Sequence, residues 1–147
     1  NKSCIVLQGP LRSKTAFLPK TVEKIKIGAQ VKKLYFLVTS AWESKKKPNV
    51  GGLQIVYRSD GTGMFSSNEL TLEIGRNLGG WWNPNSQILS EGKTAWSGVT
   101  SGENAVEIGC YLIEWLNPDP KRAIEYINFY STGDAVPILI GISGEKL

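Results

Sequence analysis

Leu53-Gln54-Ile55-Val56-Tyr57-Arg58-Ser59-Asp60-Gly61-Thr62-Gly63, followed by Leu70-Thr71-Leu72-Glu73-Ile74, is the stretch that decides the fold. It opens with an apolar, partly β-branched run and turns through Ser, Asp, Thr and two glycines. It ends with Leu70, Leu72 and Ile74 alternating with Thr71 and Glu73. Alternation of period two buries one face of a strand and wets the other, so the stretch predicts an antiparallel hairpin. The same pattern continues on both sides. Strands are expected at 3–7, 23–27, 33–39, 53–58, 70–74, 107–115, 124–130 and 138–143, and no window carries an i, i+3, i+4, i+7 stripe of helical length. Asn117-Pro118-Asp119-Pro120 forces a corner, because two prolines remove two backbone donors and hold their neighbours extended. About eight antiparallel strands in two sheets give an all-β sandwich.

A chain of 147 residues with 41% hydrophobic content supports one core and not two, so residues 1–147 read as a single domain. No apolar run approaches bilayer-spanning length and no signal-peptide core is present, so membrane insertion is not expected. If the chain is exported, its signal has been removed or lies upstream in a larger polypeptide, and the second is the expectation. Cys4 and Cys110 match no zinc or CxxC spacing and lie in apolar strand-like runs, so they read as two buried thiols, with their pairing open.

The chain has five tryptophans and no histidine. Without histidine it lacks the commonest acid-base group near neutrality, the usual base for a Ser or Cys nucleophile, and the commonest transition-metal ligand. The motifs GxSxG, GxxxxGK[ST] and HExxH are absent. Among Glu91, Glu103, Glu107 and Glu114 no pair is tied across a cleft, since alternation sets Glu107 and Glu114 on opposite faces. Binding is favoured over catalysis. No cofactor is required, although the composition leaves room for a structural calcium held by carbonyl and carboxylate oxygens.

Residues 75–102 form a long stretch rich in Gly, Asn, Ser and Trp with no regular alternation, and loops of that length are more often functional than filler. Within it, Asn77-Leu78-Gly79-Gly80-Trp81-Trp82-Asn83-Pro84-Asn85 joins two aromatic rings to three amides. Indole rings offer apolar faces to the C–H faces of a sugar, and amides offer donors and acceptors to its hydroxyls. Neighbouring side chains on extended backbone point oppositely, so one of Trp81 and Trp82 is expected to face ligand while the other packs inward. Trp42 and Trp96, both at strand-to-loop transitions, are placed at the same end of the sandwich. Arg76, Asn77, Asn83 and Asn85 are the candidates to orient hydroxyls or acidic substituents, whereas Trp115, closing the run 108–116, reads as structural.

Residues 1–50 carry eleven Lys and Arg against Glu23 and Glu43, a net +9, and residues 51–147 carry a net −5. The exposed tip Lys45-Lys46-Lys47-Pro48-Asn49 is the best single electrostatic contact. A basic face of this kind suits an anionic polymer. The lysines lie upstream of four of the five tryptophans and do not interleave with them, so nucleic acid is not an expected partner.

One ordered set of segments carries a resemblance: Lys33-Leu34-Tyr35-Phe36-Leu37 with Ala41-Trp42, residues 57–61, residues 78–82, Ala95-Trp96-Ser97-Gly98, Tyr111-Leu112-Ile113-Glu114-Trp115-Leu116-Asn117-Pro118, residues 124–131 and residues 136–144. From about Val31 to Gly144 the chain resembles galactose-binding-domain-like modules that accompany catalytic domains in secreted bacterial polysaccharide-degrading enzymes. The resemblance implies a jelly-roll sandwich and a non-catalytic carbohydrate-binding role for a polysaccharide or oligosaccharide. It also implies a monomeric module, attached to a glycoside hydrolase or lyase and secreted or displayed at the cell surface. A structural or protein-interaction spacer that orients a neighbouring catalytic domain is the rival reading. A small lyase or hydrolase using Tyr57 or Tyr111 with Arg76 is a third.

Overall fold

The structure is a computed structural model and describes residues 3–10, 14–44 and 46–147. The described residues form nine strands: β1 (Ile5–Val6), β2 (Thr21–Ala29), β3 (Val31–Ala41), β4 (Asn49–Tyr57), β5 (Ser67–Glu73), β6 (Lys93–Val99), β7 (Glu107–Leu116), β8 (Ile124–Ser131) and β9 (Val136–Lys146). A five-stranded sheet in the order β1-β9-β3-β7-β6 packs on a four-stranded sheet in the order β2-β8-β4-β5, with every neighbouring pair antiparallel. This is a jelly-roll-like sandwich. All eight expected strands are present, and the hairpin that decided the reading is β4–β5, with Leu53 opposite Leu70 and Gly51 opposite Leu72.

The ninth strand, β6, lies inside the stretch read as a loop. Its sequence, Lys93-Thr94-Ala95-Trp96-Ser97-Gly98-Val99, contains a glycine and little alternation. It is an edge strand, held only by β7 and with a register shift between Thr94 and Trp96. Backbone pairing rather than a buried face makes it a strand, so hydrophobic periodicity misses it.

The core forms where inward positions of both sheets meet: Leu34, Phe36 and Val38 of β3, Leu53 and Ile55 of β4, Tyr111 and Ile113 of β7, and Ile127 and Phe129 of β8. Trp115 packs at its margin, as expected of a structural residue. The proline corner is fastened by buried Asn117, whose amide donates to the Val31 carbonyl at 2.8 Å and whose oxygen accepts from the Tyr57 hydroxyl.

β3 runs between β7 and β9, so the basic first third is interleaved with the acidic remainder instead of forming a separate face. Lys33 and Lys93 share Glu114 at 3.7 and 3.3 Å, Lys32 reaches Glu145 at 3.7 Å, and Lys47 reaches Asp134 at 2.6 Å. These pairs are exposed, and each contributes at most about 1 kcal/mol. Lys46 and Lys47 are exposed, as the loop-tip reading requires, whereas Lys45 lies outside the described residues. Both thiols are free; Cys110 is buried, but Cys4 is exposed, against the expectation of two buried thiols. Among the described residues β1 at that end of the chain is two residues long and begins after Cys4, too little backbone to cover the thiol. Among the described residues no helix is long and apolar enough to cross a membrane.

Candidate functional site

β3 and β7 pair as far as Val38 and Tyr111 and then separate. The segment Gly80-Trp81-Trp82 enters the gap. The Trp81 N–H donates to the Ser40 carbonyl at 2.8 Å, the Gly109 N–H donates to the Trp81 carbonyl at 2.9 Å, and Trp82 bridges Ile108. The Glu43 carboxylate packs closely on Gly80, and a Cβ there would lie 1.8 Å from its oxygen, so Glu43 would have to move aside. From inside the sandwich the Tyr111 hydroxyl donates to the Gly80 carbonyl at 2.7 Å. The Gln87 amide donates to the carbonyls of Gly80 and Trp82 at 3.3 and 3.2 Å. Burial first, and then the nearby Glu43, Cys110 and Glu107, push the Tyr111 hydroxyl up to about 12, so it stays protonated and keeps donating.

The Trp81 and Trp82 rings touch edge to face, with centroids 4.8 Å apart and planes at 61°. Neither ring enters the core, against the expectation that one would turn inward. The segment is held by isolated bridges, and Asn83 turns the chain at φ 48° directly after Trp82, so regular strand alternation does not govern it. Trp42 meets the pair from the end of β3, with its backbone in the left-handed region at φ 54°. For a bulky side chain that conformation costs about 1–2 kcal/mol and marks a place where local structure is held for another purpose.

The three rings and Thr15 line one cleft of about 310 Å³ whose remaining surface is Val6, Ala41, Val136 and Ile138. Register places these four. Val6 pairs with Ile138 and Ala41 with Val136, one step out of phase with the core contacts of Ile5, Val38 and Leu139. The cleft therefore sits on the outer face of the five-stranded sheet, where β3 and β9 run out, and not on the loops crowning the sandwich. Trp42 is 56% exposed and Trp82 45%, while Trp81 is half-buried.

The other candidates are engaged elsewhere. Asn77 is 1% exposed, with its oxygen accepting from the Glu73 N–H at 2.9 Å and its amide donating to the Thr71 carbonyl at 2.8 Å, so it fastens the turn after β5. Arg76 is paired with Glu73 and Glu91, both at 3.0 Å. Asn85 donates to Ser97 at 3.1 Å and to the Glu107 carboxylate. Asn83 is exposed and follows the ring pair, but is not part of the cleft lining. Trp96 is exposed on β6 opposite Cys110, its ring lying over Gly98, and is outside the cleft. Val6 and Ile138 read as ordinary strand positions in the sequence, Val136 lies just ahead of the strand expected at 138–143, and nothing local marks Gln87 as the clamp on the ring pair. The described residues bring together no group of three or more Asp, Glu, Cys or His side chains able to hold a metal.

Aromatic walls, an aliphatic floor and, among the described residues, no charged side chain in the lining suit a compact ligand with an apolar ring face. Compared with known proteins, the chain matches no family model, no curated protein and no solved structure.

Proposed function

We propose that this chain is a non-catalytic carbohydrate-binding module that targets an attached glycoside hydrolase or lyase to a polysaccharide. The observation that carries the reading is the convergence of Trp42, Trp81 and Trp82 on one apolar cleft, two of them well exposed. Exposed indoles clustered around a concave apolar floor are what a sugar ring needs for stacking, and soluble surfaces rarely keep them without a ligand. Tethering would raise local substrate concentration without new chemistry. Among the described residues the cleft lining carries no cation, and that lining fits a neutral sugar better than the sulfated or uronic one that the basic first third suggested. An anionic polymer would have to be held by lysines outside the cleft.

Affinity electrophoresis through gels containing neutral and anionic polysaccharides tests the reading. One neutral polymer is expected to retard the protein, with retardation lost in Trp42→Ala and Trp82→Ala and kept in Trp96→Ala. The rival spacer role is favoured if no polymer retards the wild type. Retardation confined to anionic gels and abolished by moderate salt would move the contact to the lysines.

A further inference from the structure

A second cavity, of about 480 Å³, opens where the two sheets part along β2 and β9. β2 ends the four-stranded sheet, and β1 pairs with β9 at Ile138 and Leu139, so among the described residues no strand closes this flank of the sandwich. Ile25 and Ile27 of β2 face Ile5 and Ile142 across the slot, and its floor reaches the buried core residues Leu34 and Leu139. The slot lies on the opposite face of β1 and β9 from the tryptophan cleft, and among the described residues no aromatic ring lines it. Among the described residues its lining includes no Asp or Glu and two lysines, Lys26 from one sheet and Lys146 from the other. Neither belongs to the ion pairs or hydrogen bonds formed by the other lysines of the described residues.

The bounding edges are built against an added strand. β9 bulges at Ile140, the residue left over between the pairs Leu37–Gly141 and Val38–Leu139. β2 carries positive φ at Lys24 (58°) and Gly28 (65°), with register shifts at both places. Bulges and edge lysines are the features that block strand pairing, so the slot does not suit an extended peptide. Aliphatic walls and a cationic rim suit a molecule with one alkyl chain and one negative charge.

We propose that this slot binds a free single-chain fatty carboxylate, with the alkyl chain between the isoleucines and the carboxylate at Lys26 and Lys146. The site is independent of the sugar cleft and shares none of its lining residues.

Cys4 supplies the readout, because it lines the slot and is exposed, whereas Cys110 is buried and its thiol is pushed up by that burial. Alkylation of Cys4 by iodoacetamide is followed in the intact chain with laurate below its micelle concentration. Laurate is expected to slow the reaction, and dodecanol to slow it much less. The variant Lys26→Glu/Lys146→Glu, which changes only exposed side chains, should need at least about tenfold more laurate for the same protection. Ala29→Phe, which places a ring in the slot, should abolish protection while the circular dichroism spectrum stays that of a β protein. Four results would overturn the proposal: no slowing by laurate, equal slowing by dodecanol, unchanged protection in the lysine variant, or slowing only by micelles or anionic phospholipid vesicles.

Discussion

Trp42 holds its ring over the cleft through a backbone conformation that favours glycine. Trp42→Gly relieves about 1–2 kcal/mol of left-handed strain and offsets the loss of a largely exposed ring. Its unfolding free energy in urea is expected to stay within about 1 kcal/mol of wild type, while retardation in a polysaccharide gel disappears. Tyr111 shows the opposite arrangement, a polar group kept inside the fold, and Tyr130 is half-buried at its margin. Burial pushes both hydroxyls up to about 12, and at Tyr130 the hydrogen bond to Glu69 adds to burial. Above an ordinary tyrosine pKa of about 10 the unfolded chain has released these protons and the folded chain still binds them, so stability falls as pH rises. Urea midpoints should therefore drop between about pH 10 and 12, and Tyr111→Phe should flatten that drop. An equal drop in the variant would show that the Tyr111 hydroxyl does not contribute to it.

The wedge between the ends of β3 and β7 sets the cleft, and it depends on close approach. A Cβ on Gly109 of β7 would lie 2.4 Å from the Trp96 carbonyl and 2.6 Å from the Pro84 ring, so neither a flexible side chain nor an empty space can absorb it. Gly109→Ala is expected to cost about 1–3 kcal/mol, read as a lower thermal midpoint, and to loosen the ring pair whose backbone Gly109 fastens. The sequence makes the eight periodic strands legible because each buries one face, and it makes the proline corner legible because Pro118 and Pro120 cannot continue a ladder. It hides β6, an edge strand defined by backbone pairing, and its alternation turns one of Trp81 and Trp82 inward, whereas isolated bridges and the turn at Asn83 leave both rings outside the core. The three amides beside the tryptophans looked alike in sequence. Only coordinates separate Asn77, buried with both ends of its amide bonded to backbone, from Asn83, which is exposed.

At the scale of the whole molecule, the +9 of the first third reads as a basic face in the linear chain, but the topology lays β3 between the acid-bearing β7 and β9. That pairing is non-local, which is why composition alone missed it. The two apolar concavities lie on opposite faces of β1 and β9, one lined by aromatic rings and the other by aliphatic side chains with two lysines. The central claim is that Trp42, Trp81 and Trp82 act together on a glycan while Trp96 and Trp115 do not. The five indole N–H signals, assigned by single substitutions and followed in proton–nitrogen correlation spectra, test it most directly as an oligosaccharide of the retarding polymer is added. The signals of Trp42, Trp81 and Trp82 should shift together and saturate with one binding constant, leaving Trp96 and Trp115 in place. Movement of Trp96 alone, or no movement of the three at saturating sugar, would contradict the account.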